Sequence, residues 1–273
     1  SFSMSFTRAM RWGLSGLGAF GLVTMLAAPA QAQDDGPTVA VTGGLDFTNQ
    51  YNFRGIRQNT EGVSIWPFVD LGIGFENATL NFGTWNALHS QLDDNKWYES
   101  DLYATLGFSA GSTTLGITYT SYTSPGDYFA HVKELAVKAT VDDSAALGRG
   151  SLKPYALVAF ELDDAQADAG AEKGVYLELG VAPGVAGDHA SLAIPIKVGL
   201  SLKDYYEFGT GEDSKFGYFS IGGLVTVPFN DNFNLHGGVE FQAFGENVKN
   251  YNGFGDDGDG PAAIASIGIG FSF

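Results

Sequence analysis

Polar side chains, many of them charged, recur at alternate positions in segments along most of the chain, with apolar residues between them. Alternate residues of a β-strand share one face, so these charges would form one polar surface. If the strands close into a tube, that surface is its interior, where charged side chains set ion selectivity. Twelve residues are expected to line such a lumen: Asp46, Arg54, Asp70, Glu99, Asp101, Glu134, Lys138, Lys153, Glu161, Glu178, Lys197 and Glu240.

This set of lumen candidates holds more acids than bases. In a wet lumen the excess negative charge would favour cations over anions. An alternative left open is that the charges pair across strands and fill the interior. The same two interpretations apply to Arg54, which would either form a constriction with nearby acids or hold strands together. Arg57 is expected to be solvated near a turn.

Other chemistries receive less support from the sequence. Residues 256–260 place carboxylates around glycines as a calcium loop does, but they lack the twelve-residue ligand spacing, so a solvated acidic loop is favoured. The four histidines lie far apart, and none has a partner two or four residues away. We therefore expect no metal site and no cofactor.

A lipid-cleaving barrel enzyme would need a serine beside a histidine. His131 is close in sequence to Ser121 and Ser124, but the sequence does not fix their geometry. We therefore expect no catalytic residues, and keep the lipid-acting enzyme as a lesser alternative.

Strands are the elements that must position these residues. Twelve segments alternate apolar and polar side chains, and in the first of them Tyr51 and Phe53 are expected on the apolar face. Pro195 has no N–H for a ladder, so it should lie at a bulge or an unpaired position. The segments are about 39–56, 62–75, 78–87, 97–110, 112–123, 128–141, 152–162, 174–183, 191–203, 216–229, 233–245 and 262–273.

The last segment indicates how the sheet ends. Its odd positions are apolar, its even positions from Ser266 onward are Ser or Gly, and it stops at Phe273. In a transmembrane barrel such an apolar flank faces lipid and the closed ladder leaves no edge. The sequence therefore predicts an all-β fold, a transmembrane antiparallel β-barrel of about twelve strands, with ten or fourteen also possible.

The connections alternate between short turns and longer acidic loops, which would be periplasmic and external respectively. Three do not fit: 142–150 and 184–190 are long for periplasmic turns, and 59–62 is short for an external loop. Tryptophans and tyrosines near strand ends are expected to form interfacial girdles, or to stack on a sugar where they face the lumen. They are Trp66, Trp85, Trp97, Tyr119, Tyr122, Tyr205 and Tyr206, together with Phe273.

The N-terminal residues have the features of a processing signal. Arg8 and Arg11 precede an apolar run over 13–26, and Ala30-Gln31-Ala32 matches a signal-peptidase site. We expect a signal peptide over 4–32 and one barrel domain over 33–273. The chain has no cysteine, and its net charge of -17 argues against nucleic-acid binding.

The stretch from Gly44 to Gln58 resembles the opening of the TorF-type porin family of bacterial outer-membrane proteins. That family has a Tyr-x-Phe-Arg-Gly-Ile-x-Gln motif, which here spans Tyr51 to Gln58, and a Gly-x-Trp segment similar to Gly83-Thr84-Trp85. The resemblance covers roughly the first 55 residues after the predicted cleavage site. It implies an outer-membrane barrel with a porin role and no assigned catalytic residues.

Together these observations predict a porin in the outer membrane of a Gram-negative cell, through which small solutes diffuse passively with a weak cation preference. The alternative is a structural or surface barrel that does not conduct. Expected partners are outer-membrane lipid, small solutes and the barrel-assembly machinery, because a closing strand that ends in Phe273 resembles the C-terminal assembly signal.

Overall fold

A computed structural model describes residues 36–59, 61–163, 165–253 and 262–273. The predicted signal peptide and residues 256–260 lie outside these ranges. The strands are β1 (Thr38–Thr48), β2 (Tyr51–Phe53), β3 (Ile56–Asn59), β4 (Ser64–Gly74), β5 (Ala78–His89), β6 (Trp97–Ala110), β7 (Thr113–Thr123), β8 (Val132–Val141), β9 (Tyr155–Glu161), β10 (Val175–Val181), β11 (Gly184–Ala186), β12 (Ser191–Ala193), β13 (Ile196–Lys203), β14 (Phe216–Pro228), β15 (Phe233–Phe244) and β16 (Ala262–Ser272).

Within the part of the chain that the structure describes, helical structure is confined to the connections. An α-helix, α1 (Ser144–Leu147), and a 3₁₀ turn, Gly148–Gly150, lie between β8 and β9, and α2 (Glu246–Tyr251) follows β15. No helix within the described ranges has the length and apolar character needed to cross a membrane.

The main sheet closes on itself. All strand pairs of this sheet are antiparallel, β10 pairs with β13 and β12 with β14, and β1 pairs with both β4 and β16. The seam extends to the chain's last residue, where Phe273 and Val41 exchange backbone hydrogen bonds of 2.9 and 3.0 Å. Because β10 with β11 and β12 with β13 each form one interrupted strand, the wall has twelve strands, and the predicted closed barrel of about twelve strands is confirmed.

Alternation along the wall separates an apolar exterior from a polar interior. On β6 the outward Leu102, Leu106 and Phe108 are 64%, 43% and 43% exposed, whereas the inward Asp101 and Thr105 are 0% and 1% exposed. On β16 the outward Ile267 and Ile269 are exposed as predicted. An apolar surface of this extent around a closed sheet suits hydrocarbon and would be a liability in water.

Pro195 lies in the two-residue gap between β12 and β13, an unpaired position as expected. Its carbonyl still accepts from the Gly222 N–H at 2.9 Å. The predicted loop 184–190 was too long for a periplasmic turn. Its first three residues form β11, which pairs with β12 and so continues the wall. Only the turn after Ala186 is left at this end.

The first predicted strand is wrong in its second half. β1 ends at Thr48, and residues 51–59 form a separate two-stranded hairpin, β2–β3. Tyr51 is only 5% exposed, so it does not face outward. The predicted short external loop 59–62 is therefore part of a longer inward-folded connection between β1 and β4. We call residues 51–59 the inward hairpin.

Candidate functional site

A two-residue turn makes the inward hairpin possible. Arg54 and Gly55 both have positive φ, 50° and 84°, as the tightest hairpin turns require. Glycine adopts this conformation without strain. It also suits the space, because a Cβ on Gly55 would lie 3.1 Å from the side chain of Tyr218 on the opposite wall. The tip of the hairpin therefore reaches across the lumen.

Arg54 fixes this tip to the barrel wall. Its guanidinium donates two hydrogen bonds to the Glu134 carboxylate of β8, at 2.6 and 2.8 Å, and a third to the Tyr205 hydroxyl at 2.9 Å. The guanidinium carbon lies 4.2 Å from the ring centroid of Tyr176. Exposure of the ion pair is 10% for Arg54 and 3% for Glu134. A bidentate pair with this burial holds both its position and its orientation.

Backbone groups of the hairpin are bound by the connections at this end of the barrel. Tyr206 donates its hydroxyl to the Arg54 carbonyl at 2.9 Å. Asn252, just after α2, donates to the Gly55 carbonyl at 2.8 Å and accepts from the Arg57 N–H at 2.9 Å. Arg57 is thus bound through its backbone, rather than solvated near a turn as expected. Ile56 is 1% exposed in an apolar cluster with Tyr176, Tyr205, Tyr206, Tyr218 and Val248.

The base of the hairpin packs into a second aromatic cluster. The ring of Tyr51 lies 5.3 Å from those of Trp66 on β4 and Trp85 on β5. The two sequence motifs, Tyr51 to Gln58 and Gly83-Thr84-Trp85, are therefore in direct contact. Gln58 accepts a hydrogen bond from the Tyr98 hydroxyl at 2.5 Å.

These contacts correct the girdle prediction for five of its residues. Trp66, Trp85, Tyr122, Tyr205 and Tyr206 are each at most 8% exposed and pack inside the barrel. The sequence contained evidence of their inward position. Trp66 and Asp70 both lie at even-numbered positions of one strand, and Trp85 and Asn81 both lie at odd-numbered positions of the next, so each tryptophan shares the polar face. Three others are exposed on the outside: Trp97, Tyr119 and Phe273.

Inward charges on one side of the lumen all have partners. Glu178 accepts from the hydroxyls of Tyr155, Tyr176 and Tyr218 at 2.8, 2.6 and 3.0 Å. We call this side, formed by β8–β10 and β13–β15, the paired half.

The other charges of the paired half are engaged as well. Lys197 lies 3.6 Å from Glu240, whose carboxylate also accepts from Ser220 at 2.6 Å. The Lys138 ammonium lies 4.4 Å from the centroid of the Tyr155 ring. Glu161 accepts the backbone N–H groups of Ala167 and Gly174, both at 2.7 Å.

The opposite wall differs in charge. Asp70, Glu99 and Asp101 lie inward on β4 and β6 and are 3%, 4% and 0% exposed. Between Ser64 and Thr123 the one Lys or Arg is Lys96, in an exposed connection, and the one histidine is His89, buried at the end of β5. Asp70 accepts from the Asn81 amide at 2.6 Å. We call this side, formed by β4–β7, the acidic half.

At the seam Asp46 is paired separately. Its Oδ1 lies 2.5 Å from His236 Nε2, across β16, and His236 Nδ1 lies 2.9 Å from Asn234 Oδ1. Gly268 lies between them, where a Cβ would collide with the Asp46 carboxylate. This contact crosses the strand that closes the barrel.

Of the twelve lumen candidates, the structure places one elsewhere. Lys153 is exposed and lies before β9 begins at Tyr155, with φ of 49°. The strand was predicted from residue 152, but its first residues instead bind Asp143, whose carboxylate accepts the Leu152 and Lys153 N–H groups. Arg54 points into the lumen from the hairpin rather than from a wall strand.

Two connections at the hairpin's end of the barrel brace each other through carboxylates. Asp168 accepts the Glu207 and Phe208 N–H groups at 3.1 and 2.8 Å, and Glu207 in turn accepts the Ala171 and Gly211 N–H groups. Burial raises the pKa of Asp168. Burial also acts to raise the pKa of Glu207, but the N–H donors outweigh it and hold that pKa below its usual value. This bracing fixes the loop that carries Tyr205 and Tyr206.

Exposure inside the lumen changes along the axis. Inward residues near the end that carries Phe273, such as Ser109, Thr114 and Thr140, are half-buried. Beside the hairpin, Glu99, Asp101 and Glu134 have 4% exposure or less. The hairpin and its partners therefore occupy the lumen at the hairpin's end.

The serine and histidine considered for a lipid enzyme are in contact. Ser121 Oγ lies 2.7 Å from His131 Nε2 near the end of β7. Among the described residues no carboxylate is hydrogen-bonded to His131. Nor does any group of three or more His, Cys, Asp or Glu side chains in the described ranges have an arrangement suited to a metal ion.

A family model described as "Bacterial protein of unknown function (Gcw_chp)" matches residues 31–199, more than half of the chain. The chain belongs to this family. No curated protein matches it. The family's description assigns no function. The match does not extend to the narrower resemblance to TorF-type porins.

Among solved structures, the chain is similar to the COG4313 outer membrane channel from Pseudomonas putida. The identity is 15%, the match covers 90% of this chain and 99% of that one, and the TM-score is 0.50. It is also similar to the NanC porin, at 8% identity, 86% and 99% coverage and a TM-score of 0.49. These likenesses concern the fold.

Proposed function

We propose that the protein is an outer-membrane channel through which small solutes diffuse passively, with a weak preference for cations. The observation that carries this proposal is the closed wall, apolar outside and charged inside. A sheet of this kind is stable where hydrocarbon surrounds it, and its polar interior offers a path across. The similarity in fold to an outer membrane channel supports the same conclusion.

Several expectations from the sequence belong to this proposal. Export would depend on the signal peptide over 4–32, leaving 33–273 as the barrel domain. The TorF-type motif supports a porin role. Outer-membrane lipid would surround the apolar wall, and the barrel-assembly machinery would recognise the C-terminal strand that ends in Phe273.

Within this channel the inward hairpin would form the constriction. Its tip is fixed by Arg54 to Glu134 and its base by Tyr51 to Trp66 and Trp85. Solute entering from the wider end would meet this barrier last. The permeating species is therefore small, of the size of inorganic ions and the smallest organic molecules.

A barrel that does not conduct is the second candidate, and one observation favours it. Beside the hairpin the side chains have almost no solvent contact, so the resting lumen would be closed at that level. The two candidates differ in what removal of the hairpin should do.

Planar-bilayer recordings on refolded protein separate them. We expect small single-channel currents from the unaltered chain and several-fold larger currents when residues 51–59 are replaced by a short Gly/Ser linker. The matched control replaces residues 124–130, a connection at the same end, and should leave the current unchanged. Current from the linker variant alone would show that the resting barrel does not conduct; no current from any of them would eliminate the channel.

A further inference from the structure

The two halves of the lumen differ in whether their charges are satisfied. In the paired half each inward carboxylate has donors or a cation within hydrogen-bond or ion-pair distance, as with Glu134, Glu178 and Glu240. In the acidic half no Lys or Arg occurs on the inward face of β4–β7, which carries Asp70, Glu99 and Asp101. Mutual neutralisation therefore accounts for one half only.

Asp101 is the most exceptional of these acids. It is 0% exposed, no N–H of the described residues donates to either of its carboxylate oxygens, and the side-chain partner it does have is the carboxyl of Glu99. Its neighbour two residues away on the same face is another acid, Glu99. Two buried carboxyls in contact need a proton or a cation between them, and the wall supplies no Lys or Arg side chain for that place.

A neutral side-chain oxygen on the same wall, Oδ1 of Asn81, also lacks a hydrogen-bond donor within the described part of the chain. Asn81 on β5 is 0% exposed and uses its amide N–H to bind Asp70, which leaves its Oδ1 without a donor. The carboxylate of Asp70 also has the Tyr103 hydroxyl as a hydrogen-bond partner. Among the described residues, Asn81 Oδ1 and both carboxylate oxygens of Asp101 are acceptors without an N–H donor, which suits a cation, while His89 Nε2 at the hairpin's end of β5 also lacks a hydrogen-bond partner.

The positions of these oxygens follow the barrel axis. β6 runs from the hairpin's end toward the other end, so Glu99 and Asp101 lie near the hairpin base. Asp70 and Asn81 lie further along, since Asp70 pairs with Gly83 and Gly83 pairs with Tyr103, two residues beyond Asp101. The acceptors therefore form two successive stations rather than one cluster.

We propose that the acidic half is a cation path, with a first station at Glu99 and Asp101 and a second at Asp70 and Asn81. It takes small monovalent cations that exchange part of their water for these oxygens. Because the described residues hold no set of three or more ligating side chains suited to a metal, the ion is in transit and is not a resident metal. The inference rests on the proposed channel function and assigns its selectivity to one wall.

Reversal potentials in a KCl gradient test the assignment. Asp101→Asn and Glu99→Gln should each lower the K⁺ over Cl⁻ permeability ratio several-fold. Glu76→Gln removes the same charge from an exposed turn at the other end and is the matched control, expected to leave the ratio unchanged. Equal ratios in all four proteins, with current present, would overturn the cation path while leaving the channel intact.

A second measurement needs no current. Terbium(III), a hard cation that prefers oxygen ligands, would be added to the folded protein in detergent and its emission sensitised through tryptophan. Trp85 lies opposite Asp101 in the strand register, so emission should fall several-fold in Asp101→Asn and not in Glu76→Gln. No such difference would overturn the inference even if the protein proves not to conduct.

Asp101→Asn is expected to fold, because it removes an unpaired buried charge and keeps the shape of the side chain. Heat-dependent migration of the barrel in gels checks this for each variant. Loss of the folded band in Asp101→Asn with retention in Glu99→Gln would leave Glu99→Gln to decide both measurements.

Discussion

At the residue scale, the buried ion pair between Arg54 and Glu134 fixes the tip of the hairpin to the wall. Both side chains are buried inside the barrel. Most of the other charged side chains of the lumen lie on other strands. Removing one partner of a buried pair leaves an uncompensated charge and typically costs about 3–5 kcal/mol. The pair is therefore expected to control whether the hairpin stays in the lumen.

A double-mutant cycle measures this. Arg54→Gln should lower the free energy of unfolding in detergent by about 3–5 kcal/mol, while Arg54→Gln with Glu134→Gln together should recover much of the loss. The same single variant should conduct more than the unaltered chain, because the hairpin is released. Additive effects of the two substitutions would show that the pair does not hold the hairpin.

At the element scale, the connection between β8 and β9 depends on one carboxylate. Asp143 accepts the Ser151 hydroxyl at 2.5 Å and the Lys153 N–H at 3.0 Å. These donors, the Ser151 hydroxyl first, lower the pKa of Asp143 to about 2. The connection over 142–150 is thus a defined structure, which explains why it is longer than expected for a periplasmic turn.

The pH dependence of this connection follows from the lowered pKa. Above the unfolded pKa of about 4 the carboxylate's contribution is fully present, and it is lost as the pH falls through about 2. A carbon-13 NMR titration of the Asp143 carboxyl should show a midpoint near 2, moving upward in Ser151→Ala. A midpoint of about 4 in the unaltered chain would contradict the assigned contacts.

At the scale of the whole molecule, lipid is expected to be the solvent for the outer face. Leu106 lies mid-strand on that face and is 43% exposed. In a bilayer, Leu106→Arg should reduce the free energy of unfolding by about 2–4 kcal/mol, whereas arginine near an interface costs about 0–1 kcal/mol. Thr113→Arg, at the start of β7, is the matched control, and unfolding in lipid vesicles is the measurement. Equal costs at the two positions would argue against a membrane-spanning wall.

Much of the wall was predictable because its physics is local. A strand with lipid on one face and a polar lumen on the other must alternate, so the parity of Asp70, Asp101 or Leu106 assigns its face before any contact is known. The hairpin was not predictable in the same way. Tyr51 and Phe53 continue the odd-numbered apolar parity of β1, and alternation does not reveal a turn at Arg54 and Gly55.

The sequence by itself determined the barrel and its approximate strand number, since these depend on a period of two along each strand. The tertiary structure alone decided that the motif around Arg54 folds inward, and which acids have partners. Those outcomes depend on contacts between residues far apart in the chain, as with Arg54 and Glu134, 80 positions apart. Local patterns carry no information on such distances, because closure of the barrel is what brings these side chains together.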